Sequence, residues 1–426
     1  MSALNFIFGR PRKTKTINLN LQNMPERAML TLSSRVQEIK PSPTLAIDAK
    51  AKALQSEGVD VVNFGAGEPD FDTPDNIKEA GIKAIRDGFT NYTPVPGIPQ
   101  LRKAIAAKLK RENRLDYQME EIIVSCGGKH SFYNLAQALL NPGDEVVIPA
   151  PYWVSYPPMV SLAGGVPVII ATGEETSFKI SAAQLAKAIT PRTRAVVINS
   201  PSNPTGAAYT FAELKALAEV VVENDILLIS DEIYEHIVYD NFSQHSPAEI
   251  SPEVRRRCII INGASKSYSM TGWRIGFTAG PAPLIAAMNK IQSQSTSNPT
   301  SISQMAALEA YNGPQDYVKN VLSHFTERRA FIVKALNEIP GVTCFNPQGA
   351  FYVFPGVKGL LGRSCKGRLI DSSLTLCELL LDEARIAAVP GEAFGAPGYM
   401  RLSYATSMEN ITKGIERLSN FVKVLA

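Results

Sequence analysis

Short runs of Val, Ile and Leu recur between residues 121 and 264. They read EIIVSC (121–126), DEVVIPA (144–150), VPVIIA (166–171), RAVVINS (194–200), DILLISD (225–231) and CIIINGA (258–264). Helical patterning separates most of them, over Gly128–Leu140, Ser181–Ile189 and Thr210–Glu223. A strand with one wet face alternates apolar and polar residues, whereas a near-continuous aliphatic run is covered on both faces. The chain is therefore expected to fold as α/β, around a mostly parallel sheet. Ligands of such sheets sit beyond the carboxyl ends of the strands. Ser200, Asp231 and Ser265 fall there.

The flanking segments read differently. TLAIDAKAKALQSE (44–57) has helical spacing, and VVNFGAGEPDFDTP (61–74) is a short strand running into a Gly/Pro turn. A helix follows over residues 73–88, with Thr73 as its expected cap and Pro74 in its first turn. Another begins near Pro99, and a long helical region fills 301–338. Residues 341–356 read as a hairpin of a second domain, and the basic, glycine-rich 357–369 as a surface loop. The tail alternates helix, IAAVPG, MRLSYAT, helix.

Several function classes lose their support. The formal net charge is only +3, from 43 basic and 40 acidic residues, with no cluster suited to nucleic acid. Neither a Walker A loop nor a GxGxxG fingerprint occurs. The four histidines lack metal-ligand spacing, and the odd set of five cysteines reads as reduced thiols. No apolar run of about 18 residues is present to span a membrane. Residues 1–28 carry Arg10, Arg12, Lys13 and Lys15 before any acid, but no secretory h-region. They are expected to be peripheral, as an arm, a transit segment or an overlong start before Met24 or Met29.

Candidate chemistry gathers at the strand ends. In IINGASKSYSMTGWR, Lys266 sits among small residues with Arg274 eight positions on. Asp231, closing an apolar strand, needs a partner; a helix cap, an ion pair or a protonated ring nitrogen would each serve. Tyr234 follows within one helical turn, as a packed aromatic or a site hydroxyl. Gly127 and Gly128 open a helix whose free N–H groups can take phosphate. Trp153 can stack on a flat ring or pack in the core. Asn203 is fixed within the rigid NSPSNPTG turn. Arg274 and Arg401, among small or apolar residues, suggest paired anions. An internal ion pair is the alternative for Arg401. Together these groups specify a ring with a basic nitrogen, a hydroxyl, an aldehyde and a phosphate, which is pyridoxal 5'-phosphate. Lys266 supplies the Schiff base.

The runs AGEPDFDTP, GGKHSFYN, PAPYWVSYP, NSPSNPTG, SDEIYEH, SKSYSMTGWR, GAFYVFPG and RLSYATS span Ala66–Ser407. In that order they resemble the class I, fold-type I aminotransferases, and within them the prokaryotic-type aspartate aminotransferase and glutamate/aspartate–prephenate branch. The resemblance implies a large domain (76–330) with a seven-stranded sheet. It implies a smaller α/β domain built from both chain ends, 29–75 and 331–426. It implies Lys266 as the cofactor lysine, Asp231 on the pyridine nitrogen, and Asn203 and Tyr234 on the ring hydroxyl. Trp153 would stack on the ring. The backbone groups of Gly128 and Lys129, with Ser265 and Arg274, would bind phosphate, with Tyr92 reaching the cofactor of the neighbouring subunit in a homodimer. Arg401 would hold the substrate α-carboxylate with Asn203, Trp153 and the Gly67 backbone. Lys129 would reach the distal carboxylate of a dicarboxylic substrate. The implied reaction is ping-pong transfer of an amino group between L-aspartate and 2-oxoglutarate. Prephenate is the alternative acceptor, and an aromatic or alanine enzyme is the more distant alternative. No metal, nucleic acid or membrane is expected as a partner. The expected location is the cytoplasm, or a plastid or other organelle if residues 1–28 are a transit segment.

Overall fold

Seven strands form the central sheet of the computed structural model, which describes Leu30, residues 32–41 and residues 43–426. The expectations for residues 1–28 lie outside the described residues. In chain order the strands are β1 (Ile122–Ser125), β2 (Glu145–Ala150), β3 (Val166–Ala171), β4 (Thr193–Asn199), β5 (Leu227–Asp231), β6 (Cys258–Gly263) and β7 (Gly276–Ala279). Their spatial order is β1-β7-β6-β5-β4-β2-β3. All neighbours run parallel except β7, which is antiparallel to both β1 and β6. The aliphatic runs are strands because helices cover both faces. Val124, Ile148, Val196, Leu228 and Ile260 are all inaccessible or nearly so. Only the edge strand β3 exposes apolar side chains, Val166 and Ile169.

Strand β7 was not legible in the pattern. It has four residues, GFTA, two of them small. The small size has a structural cause. A Cβ at Gly276 would lie 2.4 Å from the Gly128 nitrogen, so β7 can only pass beneath the Gly127–Gly128 turn as glycine.

The described residues from Pro41 to Ala426 form one compact unit, and the described residues from Leu30 to Lys40, with the short helix Ser34–Gln37, belong to another. Within the larger unit one apolar cluster joins Val62 and Phe64 to Phe325, Tyr352, Leu402 and Ile411. Here Val62–Asn63 pairs with Ile386–Ala387 in parallel. The 64–74 turn is tied down by Asp70, whose two oxygens accept from Arg328 at 2.7 and 2.9 Å.

Four local expectations need correction. Thr73 does not cap its helix, which runs Asp75–Arg86 with Pro74 at the cap position. Its hydroxyl instead donates to Ser269 O (2.6 Å) and accepts from Trp273 Nε1 (3.0 Å), a tertiary use that outweighs the local one. The 301–338 region is two helices, Ser301–Asn312 and Asp316–Asn337, broken at Gly313–Pro314. The 357–369 segment is not an open loop. It ends in a small hairpin, Ser364–Cys365 with Arg368–Leu369, and its Lys366 and Arg368 pair with Glu383 and Glu378. The expected 341–356 hairpin is joined only at its base, between Thr343 and Gly356. Tyr352–Val353 pairs instead with Leu402–Ser403.

Candidate active site

A cavity of about 450 Å³ opens at the carboxyl ends of β1, β2, β4, β5 and β6. Gly67, Gly128, Lys129, Trp153, Asn203, Asp231, Tyr234, Ser265, Lys266, Arg274 and Arg401 all line it. Sequence positions up to 334 residues apart are thus brought to one place by the parallel topology. Tyr92 is not among the lining residues, and it is 90% exposed.

Asp231 is the last residue of β5 and only 7% exposed. It makes no ion pair with another side chain among the described residues. Its carboxylate accepts from the Tyr156 hydroxyl at 2.5 Å and from the Ile233 N–H at 3.2 Å. Burial pushes its pKa up to about 6, against the opposing pull of those two donors and of Lys266. Tyr156 was missed in the sequence although it lies within the quoted PAPYWVSYP. A search for the donor that a buried carboxylate must have would have pointed to it. Asn199, also missed, closes β4 beside Asp231. It donates to the Asp231 carbonyl (3.0 Å), and its side-chain oxygen accepts from the Asn203 N–H (2.8 Å).

Lys266 leaves the turn after β6, and its Nζ donates to Gly67 O at 2.6 Å. Burial brings its pKa down to about 8; the Glu68 charge opposes this, and the Arg274 and Arg401 charges add to it. Between pH 8 and the ordinary 10.5, the unfolded chain holds a proton that the folded chain lacks. Stability therefore rises with pH across that window. Asp231 acts oppositely between 3.8 and about 6, where the folded chain keeps a proton the unfolded chain has lost. We predict that the unfolding free energy of cofactor-free wild type, relative to Lys266→Met, climbs from about pH 8 to 10.5. A difference that stays flat in chemical denaturation over this range contradicts the burial effect.

Two cationic anchors are built differently. Arg401, 3% exposed, donates to Gly65 O (2.7 Å) and to Asn203 Oδ1 (3.1 Å). Its guanidinium lies 4.6 Å from the Tyr352 ring centre. Its buried Nε has no partner, and no carboxylate pairs with it among the described residues. The alternative of an internal ion pair is thus not realised there. Tyr352 in turn meets Tyr234, hydroxyl to hydroxyl, at 2.9 Å. Lys129 Nζ stands 5.3 Å from the Trp153 ring centre, and burial together with Arg274 lowers its pKa.

A third group of donors surrounds the start of the Gly128–Leu139 helix, which no side chain caps. Arg274 is exposed and steadied by Thr271 O (2.8 Å) and Cys126 O (3.4 Å). It can cross there because Gly127, at φ +90°, has no Cβ; one would lie 2.4 Å from the guanidinium. Ser265 is buried beside them. Uncapped helix N–H groups, a hydroxyl and a guanidinium suit a phosphate. With the amine of Lys266 and the carboxylate of Asp231 in the same cavity, the donor set fits a phosphorylated pyridine aldehyde.

The wall opposite in sequence was not foreseen. Thr44, Asp48 and Lys52, four residues apart on the helix Pro43–Ser56, line the cavity as one face. Asp48 pairs with Lys52 at 2.9 Å and accepts from Asn63 Nδ2 at 2.7 Å. Asn63 Oδ1 accepts from the Gly65 N–H at 2.9 Å.

Comparison with known proteins agrees with this geometry. A family model described as aminotransferase class I and II matches residues 59–418. The probable aspartate/prephenate aminotransferase of Rickettsia conorii is 52% identical over 399 residues, covering 93% of this chain and all of that protein. Among solved structures, the aspartate aminotransferase of Rhizobium meliloti superposes with a TM-score of 0.90 at 46% identity, over 93% of this chain and 100% of that one. The Thermus thermophilus aspartate aminotransferase with maleate gives 0.87 at 45%, over 92% and 100%.

Proposed function

The chain belongs to the class I and II aminotransferases, and we propose that it is a pyridoxal 5'-phosphate-dependent aspartate aminotransferase acting between L-aspartate and 2-oxoglutarate. The observation that carries this reading is a single cavity. It holds an amine, a buried carboxylate and, besides Arg274 at the start of the phosphate-binding helix, two cations, Arg401 and Lys129, that have no acidic partner among the described residues. Two cations suit a substrate with two carboxylates. The Thermus relative is solved with maleate, itself a dicarboxylate.

Pyridoxal phosphate, when bound, supplies a carrier for the amino group and an electron sink for the substrate α-carbon. The chain's own residues do the rest. Arg401 and Asn203 hold the α-carboxylate, and Lys129 holds the distal one. Lys266 takes the α-proton at Nζ and returns it, a role its lowered pKa suits. Asp231 would hold the ring nitrogen, Tyr234 and Asn203 the ring hydroxyl, and Trp153 the ring face. The Gly128 and Lys129 backbone groups, with Ser265 and Arg274, would hold the phosphate. Gly67 offers its carbonyl to Lys266. The smaller domain, 29–75 with 331–426, and the larger, 76–330, would meet around this site.

We further assign a homodimer. Ile82, Ile85, Phe89 and Tyr92 expose apolar surface within eleven residues, which suits a subunit contact. Tyr92 would then serve the partner's phosphate. A cytoplasmic location fits the bacterial relatives. No helix among the described residues is long and apolar enough to cross a membrane.

A second reading, transfer to prephenate, is favoured by the name of the Rickettsia relative. The test is a panel of amino donors against 2-oxoglutarate, oxaloacetate and prephenate. Turnover of aspartate with 2-oxoglutarate is expected, and failure to use aspartate overturns the assignment. In the same panel Lys129→Ala should lower kcat/KM for aspartate and glutamate roughly 10- to 100-fold, the loss of one charged hydrogen bond. Alanine should change little. Equal losses for all three donors would remove Lys129 from side-chain recognition.

A further inference from the structure

Behind the Lys266 turn lies a cluster of charged and polar side chains that does not line the cavity. Lys108, 1% exposed, comes from the helix Pro99–Asn113. Its Nζ contacts Glu235 Oε1, Asn113 Oδ1 (2.9 Å) and Glu112 Oε2 (3.5 Å). Asn113 also donates to Glu235 Oε2 at 3.2 Å. Glu112, Glu235 and His236 place ligand atoms within 4.8 Å of one another, as a metal would require. The Lys108 ammonium already sits against both carboxylates, so the cation position is filled by the chain itself.

This cluster grips the lysine turn at both ends. On the entering side, Asn262 Nδ2 donates to Glu235 Oε1 at 2.6 Å, and Asn262 Oδ1 accepts from the Gly263 N–H at 2.7 Å. On the leaving side, Ser267, next to Lys266, meets His236 Nδ1 at 2.9 Å. His236 Nε2 meets Glu112 Oε2 at 3.0 Å. Against the cost of burial, the bond to His236 and the Lys108 charge hold the Glu112 carboxyl down at about 2. An ionised carboxylate only accepts, so Nε2 carries a hydrogen towards Glu112, and Nδ1 is left to pair with the Ser267 hydroxyl.

We propose that Glu235 and His236, anchored on Lys108 and Glu112, clamp the Gly263–Ser267 turn and so position Lys266. They are positioning residues, acting through Asn262 and Ser267 rather than on substrate. The proposal rests on the reading of Lys266 as the proton-transferring amine. Misplacing such a group by about 1 Å can cost about 100-fold in rate, whereas the carboxylate anchors Arg401 and Lys129 are untouched.

The test uses the cofactor-loaded full chain with Ser267→Ala, His236→Asn and the double variant. Each single change is expected to lower kcat about 10- to 100-fold, with KM for aspartate within about twofold. The double variant should be no worse than the poorer single one, because both cut one connection. Hydrogen exchange of amides 263–268, in loaded and cofactor-free protein, should accelerate while the rest of the sheet stays protected. Unchanged kcat, losses that multiply, unchanged exchange in 263–268, or a loss of protection throughout would each overturn the clamp. Lys266→Ala is run beside them. If it retains activity, the reading of Lys266 has failed. If it is inactive while the clamp variants are normal, only the clamp has failed.

Discussion

Lys266→Ala is expected to lose transamination by about 10⁴-fold or more, the upper range for a positioned acid–base group, while the protein stays folded. The amine is the group in the cavity placed to move the α-proton, and alanine cannot replace it. The fold should survive because the Nζ is bonded to one carbonyl, Gly67 O, and forms no ion pair among the described residues. Removing the side chain therefore leaves no carboxylate buried without its cation. Steady-state rates beside circular dichroism and a melting curve check both halves. A folded variant with near-normal turnover of aspartate would sink the assignment of the reaction to this cavity.

Asp231→Asn should cost about 10²–10³-fold in kcat, the range found when one preorganised electrostatic contact is removed, with KM for the amino acid little altered. Asparagine keeps the shape and an acceptor oxygen for the Ile233 N–H, and its amide NH2 can donate to the Tyr156 hydroxyl, which then accepts. What it removes is the negative charge that would hold a ring nitrogen protonated. Asp231→Ala would confuse the result by orphaning a buried hydroxyl and an N–H. The paired readout is cofactor retention on dialysis: loss of the charge should hasten release of the ring from the protein. Wild-type kcat in the asparagine variant would show that charge at the end of β5 plays no part.

Much of this was legible because a parallel sheet writes itself plainly. Its strands are continuous aliphatic runs, and their ends point to the site. Lys266, Asp231, Asn203 and Arg401 could be picked out as polar residues placed against apolar or rigid surroundings. Strand β7 could not, since it is short and its Gly276 is there for close passage rather than for strand propensity. Thr73 was misread because a local cap and a tertiary hydrogen bond use the same hydroxyl. Tyr156 escaped because its sequence context is that of a packed aromatic; only the carboxylate 75 positions away gives its hydroxyl a purpose. The clamp on Lys266 was invisible for the same reason, as its contacts join three separated segments.

The helix Pro43–Ser56 contributes a wall to the cavity but none of the groups that move protons or grip the α-carboxylate. Acceptance of bulkier oxo acids is therefore expected to respond to libraries on this face, with position 52 coupled to Asp48 through their ion pair. Variants drawn from them would differ in what they admit while sharing one rate-setting chemistry. Position 48 is best left fixed, because it is linked through Asn63 and Gly65 to Arg401.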